Sequence, residues 1–127
     1  MFQIDTMSRM PIYEQVVNQL EYFVLNGILK EGEQIPSVRN LSVDLSINPN
    51  TIQKAYFELD KRGIIQSVPG RGCFVTDSAK DILSAKKREQ LADLKILVNE
   101  LALAEVRKEE VISCIEEVYD NLQPVKI

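Results

Sequence analysis

The chain has 127 residues, no histidine, two cysteines and a formal net charge of −4. That length holds one small domain or one domain with an appendage, and the missing histidine excludes His-based triads, His-ligated metals and the usual general base near neutral pH. Cys73 and Cys114 have no paired spacing, so a thiolate zinc site is excluded and two small apolar residues in a reducing cytosol are expected.

No stretch approaches the ~18 consecutive apolar residues of a membrane span. The opening, MFQIDTMSRM, lacks the basic region and apolar core of a secretory signal. The expectation is a cytoplasmic protein with no membrane partner, no cofactor and no metal. The charge is unevenly spread. Between Pro36 and Thr76, five basic residues (Arg39, Lys54, Lys61, Arg62, Arg71) face three acidic ones (Asp44, Glu58, Asp60), a net +2, and the remainder carries −6. The middle is the electropositive part.

The first helix is predicted from Pro11 or Ile12 to about Asn26. Pro11 suits a first helical position because its missing N–H would be unpaired there anyway. Tyr13, Val16, Val17, Leu20, Phe23, Val24 and Ile28 recur at helical spacing as one apolar face, and Gly27 can end the helix in a left-handed conformation. Lys30-Glu31-Gly32-Glu33 reads as a turn. A second, short helix starts after Pro36 with Ser37 as its N-cap and Val38, Leu41 and Leu45 inside. Asn48-Pro49 opens a third, with Asn48 capping and Pro49 at the first position. Ile52, Ala55, Tyr56 and Leu59 form its inner face, which leaves Asn50, Gln53, Lys54, Phe57 and Lys61 on the outer one, Thr51 at the flank, and Gly63 to end it.

Two short strands follow, Ile64–Val68 and Cys73–Thr76, joined by Pro69-Gly70-Arg71-Gly72. Two glycines around one arginine predict a hairpin tip with a cation at its point. After Gly72 the chain has no glycine and one proline, Pro124, a composition shift that sets a boundary near residue 77. From Ser78 on the residues are strong helix formers. Leu91, Leu94, Val98 and Leu101, and also Leu94, Leu97, Leu101 and Ala104, make short apolar stripes, and a last helix spans about Lys108 to Leu122. These read as two helices that need a partner surface.

The fold expected is therefore mainly α with a small β-hairpin wing: a winged helix-turn-helix over residues 1–76, then a two-helix dimerisation tail over residues 77–127. The third helix is the candidate reader. Amides at its N-terminal end, Asn50 and Gln53, suit paired hydrogen bonds to adenine, and Thr51 suits a base or phosphate. For Asn50 and Thr51 the alternative role is capping, for Lys54 and Lys61 a solvated face, and for Arg39 a surface salt bridge instead of a phosphate or base edge. Gly70 and Gly72 serve the turn and let the backbone approach DNA closely.

The runs Ile35-Pro36-Ser37-Val38-Arg39 and Asn48-Pro49-Asn50-Thr51-Ile52, then Ala55-Tyr56, Leu59, Gly63 and Gly70-Arg71-Gly72 with Phe74-Val75, resemble the GntR family of bacterial transcription regulators. Pro11-Ile12-Tyr13-Glu14-Gln15 fits as well, and the Asn-Pro-Asn-Thr run with the short helical tail looks like the YtrA subfamily. The resemblance implies a DNA-binding homodimer, usually a repressor, often of its own operon with neighbouring membrane-transporter genes, on a palindromic operator. It implies DNA contacts from Arg39, Asn50, Thr51 and Gln53, with Gly70 and Arg71 at a wing tip that enters the minor groove. Lys54 joins this candidate surface as a cation of the same helix, and Leu94, Leu97 and Leu101 are the candidate dimer contacts.

Pro49 and Gln53 stand where many relatives outside this subfamily have arginines, so base preference does not transfer. Ala104-Glu105-Val106-Arg107 replaces a glycine-containing turn, which leaves the bend between the last two helices open. An apolar cleft between tail helices would have room for a small-molecule effector, but no residue set marks one. A second reading stays open, supported by the negative net charge: a winged-helix module that binds protein and not DNA. An enzyme has no support, with neither histidine nor phosphate loop.

Overall fold

The computed structural model describes residues 2–122. The elements run α1 (Ile12–Leu25), β1 (Gln34–Ile35), α2 (Val38–Leu45), α3 (Pro49–Lys61), β2 (Ile65–Val68), β3 (Gly72–Val75), α4 (Ala79–Arg88), α5 (Leu91–Leu103) and α6 (Lys108–Asp120). The strands form one antiparallel sheet in the order β1-β3-β2. The chain divides into two compact units after Leu83.

In the first unit, Val16, Val17, Leu20, Phe23 and Val24 of α1 meet Leu41 of α2, Ile52, Ala55, Tyr56 and Leu59 of α3, and Ile65 and Val75 of the sheet in one core. The 3.6-residue periodicity of α1 and α3 predicts these positions because burying that stripe is what holds each helix in place. Ile28 departs from its expected place: it is exposed, and Leu29 is buried instead. Gly27, at φ 80°, breaks the helical periodicity, and the Leu29 N–H donates back to the Phe23 carbonyl at 3.0 Å.

Two further features differ from the sequence reading. The turn at Lys30–Glu33 does form, with the Glu33 N–H on the Lys30 carbonyl, but it leads into a third strand. Gln34 pairs with Phe74 and Ile35 with Cys73; two residues are too few to show strand alternation in a sequence. The helical stretch after Ser78 has three segments, not two. Ala79 and Leu83 of α4 are buried in the winged core, so the first unit extends past the boundary expected near residue 77.

The bend left open by the sequence is sharp. Glu105 takes φ 65°, its N–H bonds to the Ala102 carbonyl and the Val106 N–H to Leu101, each at 3.0 Å. This is the paired-carbonyl stop that usually employs glycine, here built on glutamate. α5 and α6 bury no residue. Leu94, Leu97, Ile96 and Leu103 of α5 are all exposed, as are Ile112, Ile115 and Val118 of α6, while Leu101 is half-buried.

Candidate nucleic-acid interface

The helix-turn-helix is set by its caps. Ser37 Oγ accepts from the Asn40 N–H at 3.0 Å and starts α2. The Tyr56 hydroxyl donates to the Pro36 carbonyl at 2.6 Å, which ties the entry of α2 to the middle of α3. Burial pushes the Tyr56 phenol well above its ordinary range. Between the helices, Ser46 adopts φ 55°, the Ile47 N–H closes on the Ser42 carbonyl, and the Ser42 hydroxyl donates to the Ile47 carbonyl. Asn48 Oδ1 then accepts from the Asn50 N–H at 2.8 Å, with Pro49 at the first helical position.

That last bond places the capping role on Asn48. The side chain of Asn50 is exposed and takes part in no hydrogen bond among the described residues. Thr51 is half-buried at the flank, and Gln53 is exposed. Lys54 is exposed too, but its ammonium lies 4.0 Å from the centroid of the Tyr13 ring. This cation–π contact turns it toward α1. Lys61 and Arg39 are exposed and form no ion pair among the described residues.

Arg62, at the end of α3, is spent on structure. Its Nη1 lies 3.2 Å from Glu21 and its Nε 3.0 Å from Glu58. Partial burial works against its charge, and the two carboxylates outweigh that, holding the guanidinium more firmly protonated than in water. Four cations of the middle segment remain on the surface: Arg39, Lys54, Lys61 and Arg71.

The wing tip is a tight turn. The Arg71 N–H donates to the Val68 carbonyl at 2.9 Å, Pro69 and Gly70 occupy the two central positions, and Gly70 has φ 76°. Proline followed by a positive-φ glycine is the chemistry of a type II turn. Gly72, at φ 119°, is needed for a second reason: a Cβ there would lie 2.6 Å from Gln34 Nε2. That Gln34 amide donates to the Arg71 carbonyl at 3.0 Å and ties the tip to β1. Sequence reasoning missed Gln34, since its only signal is membership of a strand too short to detect. The Arg71 side chain is exposed.

A shallow groove of about 370 Å³ runs beside α3, lined by Val38, Gln53, Tyr56, Phe57, Ser67 and Cys73 among others. It joins the start of α2, next to Arg39, with one flank of α3 and the strands that carry the wing. Uncommitted amides, surface cations and a cation-tipped hairpin match the hydrogen-bonding edges and phosphates of a DNA duplex. Among the described residues no cluster of His, Cys, Asp or Glu could hold a metal ion, and no helix is long and apolar enough to cross a membrane.

Comparison with known proteins decides the class. The profile of the family described as "Bacterial regulatory proteins, gntR family" matches residues 12–75. The chain belongs to the GntR family. It is 40% identical over 119 residues to the HTH-type transcriptional repressor YtrA of Bacillus subtilis, covering 93% of this chain and 92% of that protein. Among solved structures, a transcriptional regulator from Oenococcus oeni superposes with a TM-score of 0.73 at 29% identity, over 94% of this chain and 99% of that one. A protein described as a transcriptional antiterminator from Listeria monocytogenes superposes with a TM-score of 0.71 at 36% identity, over 100% and 97%. This GntR-family chain is a DNA-binding transcription regulator with a winged helix-turn-helix, and not an enzyme.

Proposed function

We propose that the protein is a cytoplasmic homodimer that represses its own operon by binding a palindromic operator. One observation carries the dimer: α5 is apolar on more than one side and buries none of its residues. Leu94 and Leu97 are 42% and 52% exposed along one stripe, and Ile96 and Leu103 are 61% and 77% exposed away from it. An apolar stripe that wide, left in water by its own chain, gains by burial against another surface, and a second copy of the tail supplies one, with Leu94, Leu97 and Leu101 at the contact. Two winged domains on a two-fold axis then face half-sites about one DNA turn apart, ~34–36 Å.

On each half-site, Asn50 and Gln53 read bases and Thr51 meets a base or phosphate. Arg39 contacts a phosphate or base edge, Lys54 and Lys61 add positive charge toward phosphates, and Gly70 and Arg71 enter the minor groove. The negative net charge is no obstacle, because sixteen of the nineteen acidic residues lie outside Pro36–Thr76. Repression is supported by the name of the Bacillus subtilis relative. Dimerisation is tested by sedimentation, and operator binding by gel shift against the DNA upstream of its own gene, repeated across salt concentrations. The expected result is a dimer whose log affinity falls linearly with log salt, with a slope of about −0.9 per phosphate contact. A monomer, or a shift no stronger on that DNA than on a scrambled duplex, overturns the proposal.

A further inference from the structure

Phe57 is 68% exposed on the outward side of α3, beside the polar or charged Asn50, Gln53, Asp60 and Lys61 of the same helix. Its ring joins neither the core nor the apolar residues packed against it, and it forms no aromatic pair among the described residues. It borders the groove that Gln53 also lines. A phenyl ring left in water on a reading helix gains by desolvation only if its partner there is apolar. In the major groove every base presents hydrogen-bonding atoms, and thymine alone adds an apolar group, its C5-methyl.

We infer that Phe57 is a specificity residue that recognises the C5-methyl of an operator thymine. This rests on the proposal that the outer face of α3 meets base edges. Gln53 lies one helical turn before Phe57, so the two side chains are about 6 Å apart along the helix axis. That separation spans one to two base-pair steps. An amide that pairs with a base and a ring that packs on a methyl one or two pairs away form a composite reader: the amide supplies direction and the ring rewards one base by desolvation.

The test uses the full chain and a duplex it selects from a randomised pool. Each thymine of that duplex is replaced in turn by deoxyuridine, which keeps every hydrogen-bonding edge and removes only the methyl. The wild-type protein is expected to lose about fourfold in affinity for the replacement at one thymine per half-site, the worth of one buried methyl. Phe57→Ala binds the thymine duplex more weakly and shows no further loss with uracil at that position. Phe57→Leu keeps the discrimination, and Phe57→Gln loses it. Unchanged thermal unfolding midpoints confirm that these exposed-site variants are folded. The inference is overturned if Phe57→Ala binds at wild-type strength, or if uracil costs wild type and Phe57→Ala alike at every thymine. A chain that selects no sequence overturns the DNA-reading proposal together with this one. A selected operator without the methyl coupling overturns this one alone.

Discussion

The winged unit and the tail use the same apolar residue types to opposite ends. Val16, Leu20, Ile52, Leu59 and Ile64 are each fully buried in the first unit, whereas α5 and α6 bury nothing, although α5 is rich in leucine. The difference lies in closure. α1, α2, α3 and the sheet surround one another, so each apolar stripe finds a facing stripe within the chain. α5 has apolar side chains on more than one side and buries none of them within its own chain, and the proposed dimer would bury them between chains. The first unit closes its core within one chain, and on the proposed reading the second closes it by association.

The substitution expected to have the largest effect breaks the second half of that comparison. Leu97→Glu places a charge in the proposed dimer contact. It should yield a monomer in sedimentation and lower affinity for a full palindrome by ~10²–10⁴-fold, the avidity lost with the second domain. Thermal unfolding of the winged unit should not change. A monomer with wild-type operator affinity would separate dimerisation from binding, and a variant that unfolds would place Leu97 in an intrachain core.

Leu59→Ala tests the first half. Leu59 is fully buried, and truncating such a leucine costs ~2–5 kcal/mol through lost burial and a residual cavity. Chemical denaturation should show this loss, and it should persist in the Leu97→Glu background. If the loss instead depended on protein concentration, the winged unit would not be an independent core.

Arg71→Ala separates surface from core within one unit. The side chain is exposed, and only its backbone is held, by Val68 and Gln34. Operator affinity is expected to fall by ~1–3 kcal/mol without any shift in unfolding midpoint. Unchanged affinity would remove the wing from the interface.

These regions also differ in how far the sequence discloses them. The helices of the winged unit are legible because burial imposes a period, and their ends because Ser37, Asn48 and Pro49 have specific backbone chemistry. The candidate reading surface is legible as what the inner face leaves over: Asn50, Gln53, Phe57 and Lys61. What stays hidden depends on contacts distant in sequence. β1 exists only through pairing with β3, the turn at the wing needs Gln34 from 37 residues away, and Lys54 is drawn aside by Tyr13. The extra tail segment escaped for a related reason. Ala79 and Leu83 face a core that their own helix does not reveal, and the two-residue turn Glu89-Gln90 between α4 and α5 has neither glycine nor proline to mark it.

Tyr56→Phe gives a smaller effect with a signature in pH. The phenol is favoured as the neutral species by burial, so the stability it contributes is fully present below its ordinary value near 10 and is lost as pH rises beyond that. Removing the hydroxyl leaves the Pro36 carbonyl without this donor, and a cost of ~1–2 kcal/mol is expected at neutral pH. Urea midpoints between pH 8 and about pH 11 should fall more steeply for wild type than for Tyr56→Phe. Parallel curves would mean that ionisation of another group governs the alkaline limit.

The smallest expected effects, and the sharpest comparison of the two units, come from the same backbone conformation occurring once in each. Ser46 at φ 55° and Glu105 at φ 65° are the non-glycine residues with positive φ among the described residues. Each follows a helix and completes the same pair of carbonyl bonds: Ser42 and Val43 for the first, Leu101 and Ala102 for the second. An L-residue pays sterically for that conformation, and glycine avoids the cost but has more unfolded-state freedom to lose. Near-balance favours a modest gain, so Ser46→Gly and Glu105→Gly are each expected to stabilise their unit by roughly 0.5–1 kcal/mol. The readouts differ. Ser46→Gly should raise the unfolding midpoint of the winged unit by the same amount at every protein concentration. Glu105→Gly acts on the helices that the proposed dimer buries, so its gain should appear in the dimer dissociation constant and vanish in the Leu97→Glu monomer. A concentration-independent gain from Glu105→Gly would show that α5 and α6 are stable without a partner, and the contrast between a unit that folds and a unit that associates would no longer hold.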